Sequence, residues 1–199
     1  MSNADNFQLN GQWQEFLVIG SLKAATVAYD LHSKIKMRIS NPKYKTYQDC
    51  SMSAEFQDFQ FFAEWCSKQI GYLNTDDNNK VWQIDKDLLE KGNRVYSFDK
   101  CVFIPHVLNS LISKKTSKKS KLPTGVTICS ITGAFRVMCT NSLGKSVYLG
   151  NYKLLKDAFS VYKKHKEIAI KERALQYKNQ LDPRLFHSLM NWQVEIHDC

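Results

Sequence analysis

Two short apolar runs, Val-Trp-Gln-Ile (81–84) and Cys-Val-Phe-Ile (101–104), decide the fold of the first half of the chain. Asp-Lys-Asp (85–87) follows the first run and Pro105 follows the second. Both runs are bounded by turn-forming residues, which favours β-strands over pieces of helix. Proline suits the first turn of a helix, where its missing N–H has no partner to lose. The segment therefore predicts a small β-loop-β-α unit, with two aspartates at the end of its first strand and Asn109 on its helix.

Oxygen-bearing side chains of this unit form a candidate site for a divalent metal ion. Hard cations such as Mg²⁺ take a few oxygen ligands and keep waters for a phosphate substrate. Asp85 at a strand end and Asn109 on the facing helix supply such atoms, and Asp87 and His106 lie close to them in sequence. The alternative is that Asp-Lys-Asp is a solvated turn and Asn109 a surface residue, because short motifs also arise by chance.

The segment resembles the ββα core of the His-Asn-His (HNH) nucleases, especially those of phage-type homing endonucleases. In that family an Asp-His pair ends the first strand, an Asn precedes the second, and an Asn or His on the helix binds metal. The resemblance places Asp85 and Asn109 at the metal-binding positions, with His106 as a helper and Mg²⁺ as the expected cofactor. Lys86 stands at the position of the catalytic His, and Lys100 at that of the middle Asn. Catalysis would then fall to Lys86 or a neighbour such as Asp87, although a lysine is a poor general base unless its surroundings lower its pKa.

Length and composition bound the class of protein. The chain has 199 residues, of which 43% are hydrophobic, and this suffices for one core or two small domains. No apolar run approaches the roughly 18–20 residues that span a bilayer. Residues 1–12 lack the basic and then apolar pattern of a secretory signal. We therefore expect no membrane partner and a cytoplasmic location, which is the host cytoplasm if a phage encodes the chain.

The cysteines do not have the spacing of a zinc site. They lie at positions 50, 66, 101, 129, 139 and 199, and no two form a Cys-x-x-Cys pair. Buried free thiols in a reducing compartment are the favoured interpretation, and zinc is not expected. A zinc site built from Cys50, Cys66 and Cys101 is the alternative.

Positive charge is concentrated in the second half of the chain. The net charge is +9, but residues 113–178 alone carry 15 Lys and Arg against 3 Asp and Glu, so the remainder is slightly acidic. This distribution indicates a module that binds a polyanion. Five lysines of the polar segment 113–121 have no apolar neighbour among them, which predicts a linker: Lys114, Lys115, Lys118, Lys119 and Lys121. They would follow a nucleic-acid backbone as a flexible strap, or serve only as a solubilising tether.

Helical spacing is visible in two segments before the central unit. Residues 13–40 predict one helix or a pair of helices, interrupted at Gly20 and ended by Asn41-Pro42. Residues 54–69 predict another helix, whose aromatic stripe indicates core packing rather than base stacking. The lead-in from Tyr47 to Trp65 is also similar to that of phage-type HNH proteins.

The last third of the chain predicts a sheet backed by a helix. Three runs are rich in β-branched and aromatic residues and are separated by turn formers: residues 125–130, 134–139 and 145–149. An apolar stripe along residues 154–178 predicts a long helix over one sheet face. Alternation along the strands leaves Arg136 and Lys145, with Tyr148 near them, on the other face. Residues 181–199 are too apolar to be disordered and are expected to pack back on the long helix or on the N-terminal domain.

This arrangement resembles the plant ethylene-response-factor type of DNA-binding domain, which also occurs at the C-terminus of phage HNH endonucleases. The matching motifs are Gly125-Val126, Phe135-Arg136-Val137 and the stretch Tyr148 to Tyr152. In that family the sheet enters the major groove of duplex DNA. The resemblance therefore makes Arg136, Lys145 and Tyr148 candidate DNA contacts, since an arginine reads guanine through a bidentate bond.

Together these patterns predict an α+β protein. A helical module with the HNH-like ββα unit (1–112) is joined by a basic linker (113–122) to a sheet-plus-helix DNA-binding module with a helical tail (123–199). The predicted function is that of a phage homing-type endonuclease that cuts duplex DNA with Mg²⁺. A catalytically inactive DNA-binding protein on the same scaffold is the alternative, and an RNA-binding or host-protein-binding accessory factor is a third. The metal hypothesis requires the Asp85 and Asn109 side chains to lie within roughly 4–6 Å of each other.

Overall fold

The computed structural model describes residues 6–9, 12–15, 22–113 and 122–196. Within these ranges the protein is α+β, as predicted. Its helices are α1 (Leu22–Ser40), α2 (Ala54–Gln57), α3 (Phe59–Ser67), α4 (His106–Ile112), α5 (Leu155–Gln176) and α6 (Pro183–Met190). Its strands are β1 (Asn6–Leu9), β2 (Gln12–Glu15), β3 (Ser51–Met52), β4 (Gln83–Asp85), β5 (Val95–Tyr96), β6 (Val102–Ile104), β7 (Val126–Ile128), β8 (Phe135–Thr140) and β9 (Ser146–Tyr152).

The chain folds into two compact units. Unit 1 contains the described residues up to Thr75 together with Val81–Phe103, and unit 2 contains Asp76–Lys80 and the residues from Ile104 onward. This division differs from the predicted module boundary at residue 112. The reason is that α4 packs on α5 and so belongs with the second half of the chain.

In unit 1, two paired strands come before α1, and the second of them overlaps the helix predicted over 13–40. The strand β2 pairs antiparallel with β1, and α1 starts only at Leu22, so the prediction of a helix from residue 13 was wrong. Trp13, Phe16 and Leu17 have the spacing of a helix face. The main-chain groups of 12–15 are instead used by the strand ladder, which excludes helical hydrogen bonds at the same residues.

The second predicted helix is divided at Asp58. Its backbone is extended (φ −74°, ψ 118°), and its carboxylate accepts hydrogen bonds from the N–H groups of Gln60 (2.8 Å) and Phe61 (3.4 Å). Aspartate is among the favoured N-cap residues because it satisfies N–H groups that a first helical turn leaves unpaired. The single helix predicted over 54–69 is therefore two, α2 and α3, and α3 ends at Ser67.

Aromatic side chains build the core of unit 1. Trp65 stacks on Phe103 with ring centroids 5.9 Å apart, and its indole N–H donates to the carbonyl of Phe98 at 3.0 Å. Further buried members are Phe56, Phe62, Ala63, Cys66 and Trp82. The aromatic stripe of 54–69 is thus core, as predicted, except that Ile70 just beyond it is exposed.

A histidine of α1 is built into this core. The Nε2 of His32 donates to the carbonyl oxygen of Phe56 at 2.9 Å, and its ring lies 5.1 Å from that of Phe62. Burial lowers the pKa of His32, which the hydrogen bond to Phe56 only partly offsets. A neutral imidazole therefore serves here as a hydrogen-bonding core side chain.

The predicted ββα order is present in the centre of the chain. The strand β4 is hydrogen-bonded to β6, and α4 follows after Pro105. A second small pair forms between β3 and β5, which run parallel. The sequence did not predict this pair, because each of its strands has only two residues.

Unit 2 contains an antiparallel sheet in the order β7-β8-β9, covered on one face by α5. Val137 and Cys139 point to the helix and are buried, whereas Arg136, which directly precedes Val137 on the central strand, is exposed, as the alternation predicted. The helix buries Ala158 and Tyr162 against the sheet.

The helical tail packs back on α5, as predicted. Asp182 caps α6 by accepting from the N–H of Arg184 at 2.8 Å, and Pro183 occupies the first turn. Leu185 and Leu189 are fully buried. None of the helices in the described ranges is long and apolar enough to cross a membrane.

Candidate nucleic-acid interface and metal ligands

The outward face of the sheet in unit 2 carries a row of three polar side chains. Arg136 on β8 is the register partner of Thr127 on β7 and of Asn151 on β9. All three side chains are exposed. Cross-strand partners point to the same face, so the row crosses the sheet at right angles to its strands.

One nitrogen atom of the Arg136 guanidinium contacts a neighbouring side chain. Its Nη2 lies 3.5 Å from the sulfur of Cys129, which is buried at the end of β7. A hydrogen bond with the hydroxyl of Thr132, followed by bonds with the backbone of Thr132 and Ile131, lowers the pKa of the Cys129 thiol to about 7. The sulfur accepts a hydrogen bond from the guanidinium. Sequence reasoning did not single out Cys129, although the Cys-Ser-Ile-Thr turn (129–132) is a local signal for it.

A β-bulge brings Tyr148 to the same outward face. The register between β8 and β9 shifts after Val137, so that Met138 faces Tyr148 instead of Leu149. Regular pairing would have placed Tyr148 opposite Cys139, on the helix side. Such a bulge inserts one extra residue and re-aims the side chains beyond it. Tyr148 is 54% exposed as a result.

Gly150 accommodates the bulge. Its φ is +120°, a conformation that L side chains rarely adopt, and the hydroxyl of Tyr152 folds back over it to donate to the Leu149 carbonyl at 2.9 Å. Lys145, the remaining predicted contact on the sheet, lies in the β8–β9 turn rather than in the row. Its N–H donates to the Asn141 side chain at 2.9 Å, and its own side chain is exposed.

The sheet region has charge of one sign. Residues 122–154 contain Arg136, Lys145 and Lys153 and neither an aspartate nor a glutamate. Three acidic side chains follow on α5: Asp157 in its first turn, Glu167, which pairs with Lys163 at 2.7 Å, and Glu172, which accepts from the hydroxyl of Ser142 at 2.8 Å. The predicted contacts Lys114, Lys115, Lys118, Lys119 and Lys121 lie outside the described residues.

A cavity of about 790 Å³ also lies within unit 2, between α4, α5 and the β8–β9 turn. Its wall includes His106, Lys166 and Arg173. The guanidinium of Arg173 is bound by the carboxylate of Asp77 at 2.6 Å, which also accepts from the Tyr177 hydroxyl. Because that cation is neutralised, the open sheet face is the better candidate surface for a polyanion.

The predicted metal ligand Asp85 ends β4 and is well organised. Its Oδ1 accepts hydrogen bonds from the N–H groups of Asp87 (2.9 Å) and Leu88 (3.2 Å). Burial raises the pKa of Asp85, and the carboxyl group of Asp87, hydrogen-bonded to it, adds to the effect. The two carboxyl groups are thus in direct contact. Their oxygen atoms are the kind that Mg²⁺ prefers.

Lys86, at the position of the catalytic histidine, is not open to solvent. It is 7% exposed, and its ammonium lies 3.4 Å from an oxygen of Asp87 and 5.8 Å from the centre of the Tyr96 ring. The side chain of Asn93 donates to the Lys86 carbonyl at 2.6 Å and fixes the loop. The structure therefore holds Lys86 as a buried, paired cation.

The remaining predicted ligands lie on α4, in unit 2. The Nδ1 of His106 is 3.4 Å from the hydroxyl of Ser110 and 4.0 Å from a carboxylate oxygen of Asp76, and Asn109 accepts from the Ser113 hydroxyl at 3.3 Å. Asp85 belongs to unit 1, so its convergence with Asn109 stays a prediction.

Among the described residues, the acidic, histidine and cysteine side chains do not by themselves form a complete metal site. No group of three or more of them is placed to hold a metal ion anywhere in the described ranges. The cysteines at 50, 66, 101, 129 and 139 are free and buried. A Mg²⁺ ion at Asp85 and Asp87 would have to take further ligands from amides or water.

Comparison of the chain with protein-family models, curated proteins and solved structures finds no match in any of the three.

Proposed function

We propose that this protein binds duplex DNA through the outward face of its β7-β8-β9 sheet. The observation that carries the proposal is the exposed row of Thr127, Arg136 and Asn151 on a region without acidic residues. The major groove of B-DNA is about 12 Å wide and admits a β-ribbon, and its base edges present donors and acceptors to such side chains. Phosphate oxygens on both sides of the groove would favour a surface of positive charge.

We further propose that the protein is a phage homing-type endonuclease of HNH descent, acting in the host cytoplasm. The observation in favour is the carboxyl pair of Asp85 and Asp87 at the end of β4, since those side chains would hold Mg²⁺, with His106 and Asn109 as the other proposed ligands. When bound, the ion would polarise the scissile phosphate and stabilise the departing 3′ oxygen. Backbone N–H groups orient the Asp85 carboxylate, and Asp87 is the nearer candidate to take up a proton because the Lys86 side chain is enclosed.

A specific observation favours the second candidate, a DNA-binding protein that does not cleave. The ammonium of Lys86 is buried between Asp87 and the ring of Tyr96. A general base must reach the proton that it abstracts, and this cation is enclosed. The ββα unit would then have no catalytic role.

Cleavage of supercoiled plasmid by the full chain, with and without Mg²⁺, separates the two candidates. We expect Mg²⁺-dependent nicking that Asp85→Asn abolishes, because the amide keeps the acceptor for the N–H groups of Asp87 and Leu88 but loses the negative charge. DNA affinity should stay within about 2-fold. Glu64→Gln, in an exposed ion pair with Lys68, is the control.

Absence of nicking by the wild-type protein at any Mg²⁺ concentration, with intact DNA binding, would establish the non-catalytic candidate. Equal loss of binding and cleavage in Asp85→Asn would show that Asp85 serves the fold.

The salt dependence of DNA binding tests where the affinity resides. Each phosphate neutralised contributes about −0.9 to the slope of log K against log salt. Serine at all five lysines of 114–121 should therefore flatten the slope by about 4 and weaken all duplex sequences alike. Fluorescence anisotropy of a labelled duplex, recorded between about 50 and 300 mM salt, measures this slope.

A matched control removes the same charge from unit 1. Five of its exposed lysines are Lys34, Lys36, Lys43, Lys45 and Lys68. Serine at these positions should leave the slope unchanged. An equal flattening in both variants would mean that net charge, and not the lysine-rich segment, sets the affinity.

A further inference from the structure

Asn151 has no structural task that the described residues reveal. Its side chain makes no hydrogen bond to any residue that the structure describes, and it is exposed in the middle of a hydrogen-bonded strand. Asparagine is depleted in strands, so it is an unfavourable choice there unless its amide is used. Other asparagines of the chain bond backbone groups in turns and helix ends, as Asn41, Asn93, Asn141 and Asn191 do.

We infer that Asn151 and Arg136 together read two neighbouring base pairs, an adenine and a guanine, in the major groove. This rests on the proposed DNA binding by the sheet. The amide of asparagine matches the N6 and N7 atoms of adenine, and the guanidinium of arginine matches O6 and N7 of guanine. Both side chains stand in one row across the sheet and both are exposed.

The spacing of the row sets the distance between the two bases. The Cβ atoms of direct cross-strand partners are about 4.5–5.5 Å apart, and successive base pairs are stacked about 3.4 Å apart. Partners in one row therefore reach adjacent base pairs, or pairs separated by one step. Tyr148, which pairs with Met138 beyond the bulge, stands in another row and contacts a different part of the groove.

Arg136 is prepared for this contact by Cys129. One Nη atom lies against the Cys129 sulfur, and guanidinium has five N–H donors, so an edge remains for a base. A side chain fixed before binding loses less conformational entropy on binding. Thr127, the third member of the row, presents a hydroxyl and a methyl group next to Arg136.

Selection of binding sites from a random duplex pool tests the inference with the full chain. The wild type should select a motif with a guanine and an adenine no more than two steps apart. Asn151→Ala should reduce the preference for adenine about 10-fold and leave that for guanine intact, and Arg136→Ala should do the reverse. Asn151→Thr, which a strand favours, is a second variant that keeps the fold.

Asn179→Ala makes the same chemical change at an exposed residue after α5 and should leave the motif unchanged. The inference is overturned if the wild type selects a motif that Asn151→Ala and Asn151→Thr leave intact, or if the positions altered by the two single variants lie more than two base pairs apart. A wild type that binds no duplex DNA would instead overturn the proposed function, and the inference with it.

Discussion

Replacing Gly125 by alanine is expected to lower the free energy of unfolding of unit 2 by about 2–5 kcal/mol. Gly125 has φ +77°, which costs an L residue about 1–2 kcal/mol. A Cβ there would lie 2.3 Å from the ring of Tyr162 and 2.5 Å from the carbonyl oxygen of Met138, and overpacking typically costs about 1–3 kcal/mol more. The oxygen is backbone in the central strand, so it yields only if β8 moves.

Gly144→Ala is the matched control for this prediction. Gly144 has nearly the same φ, +78°, but nothing lies within 4 Å of its Cβ position. It should show the backbone cost alone, about 1–2 kcal/mol. Thermal unfolding followed by circular dichroism compares the two. Equal losses in both variants would mean that the Tyr162 ring and β8 shift freely and that the close contact has no energetic weight.

Asp76→Ala should destabilise unit 2 by about 3–4 kcal/mol, since three backbone donors lose their acceptor. The Asp76 side chain is fully shielded from solvent. Its Oδ1 accepts from the N–H groups of Asn78 (2.9 Å) and Lys80 (3.0 Å), and its Oδ2 from that of Val107 (3.0 Å) at the start of α4. Asp76→Asn keeps one oxygen and should lose about half as much stability, measured by urea unfolding. If neither Asp76→Ala nor Asp76→Asn changed the free energy of unfolding, the Asp76 carboxylate would not stabilise unit 2.

The same carboxylate makes the stability of unit 2 sensitive to acid. Burial raises the pKa of Asp76, but the hydrogen bonds from the N–H groups of Lys80, Asn78 and Val107 outweigh it and leave the pKa below its usual range. The folded state thus binds this proton less readily than the unfolded state. The contribution is complete above the unfolded pKa of about 3.9 and is lost as the pH falls through the folded pKa. Asp76→Ala should therefore flatten the acid limb of the stability curve.

Elements whose signals are local were predictable from the sequence. The sheet of unit 2 followed from β-branched runs and from turns at Gly133 and 141–144, and α5 followed from its apolar stripe. The failures have a common cause. Trp13 and Phe16 have helical spacing, and Asp58 lies inside an apolar stripe, but pairing with β1 and capping by Asp58 decided the outcome.

In the candidate sites, too, features with a local sequence signal were predictable, and features that depend on contacts with distant residues were not. That Asp85, Lys86 and Asp87 lie together follows from their adjacency. The enclosure of Lys86 depends on Tyr96, and no pattern along the chain reveals it. The row through Asn151 depends on the register of β8 and β9, which includes a bulge. Register is a property of two strands together, so the alternation of one strand does not reveal the bulge that turns Tyr148 outward.

Unit 2 draws on two separate pieces of the chain, since Asp76–Lys80 lies between two segments of unit 1. The polypeptide therefore passes from one unit to the other three times, after residues 75, 80 and 103. A single recombination event or a single proteolytic cut cannot release either unit whole. A gene fragment that began at residue 113 would lack α4. It would also lack Asp76, whose carboxylate accepts a hydrogen bond from the N–H of Val107 in the first turn of α4. The two units are thus inherited together, and neither can be exchanged as one contiguous stretch of the gene.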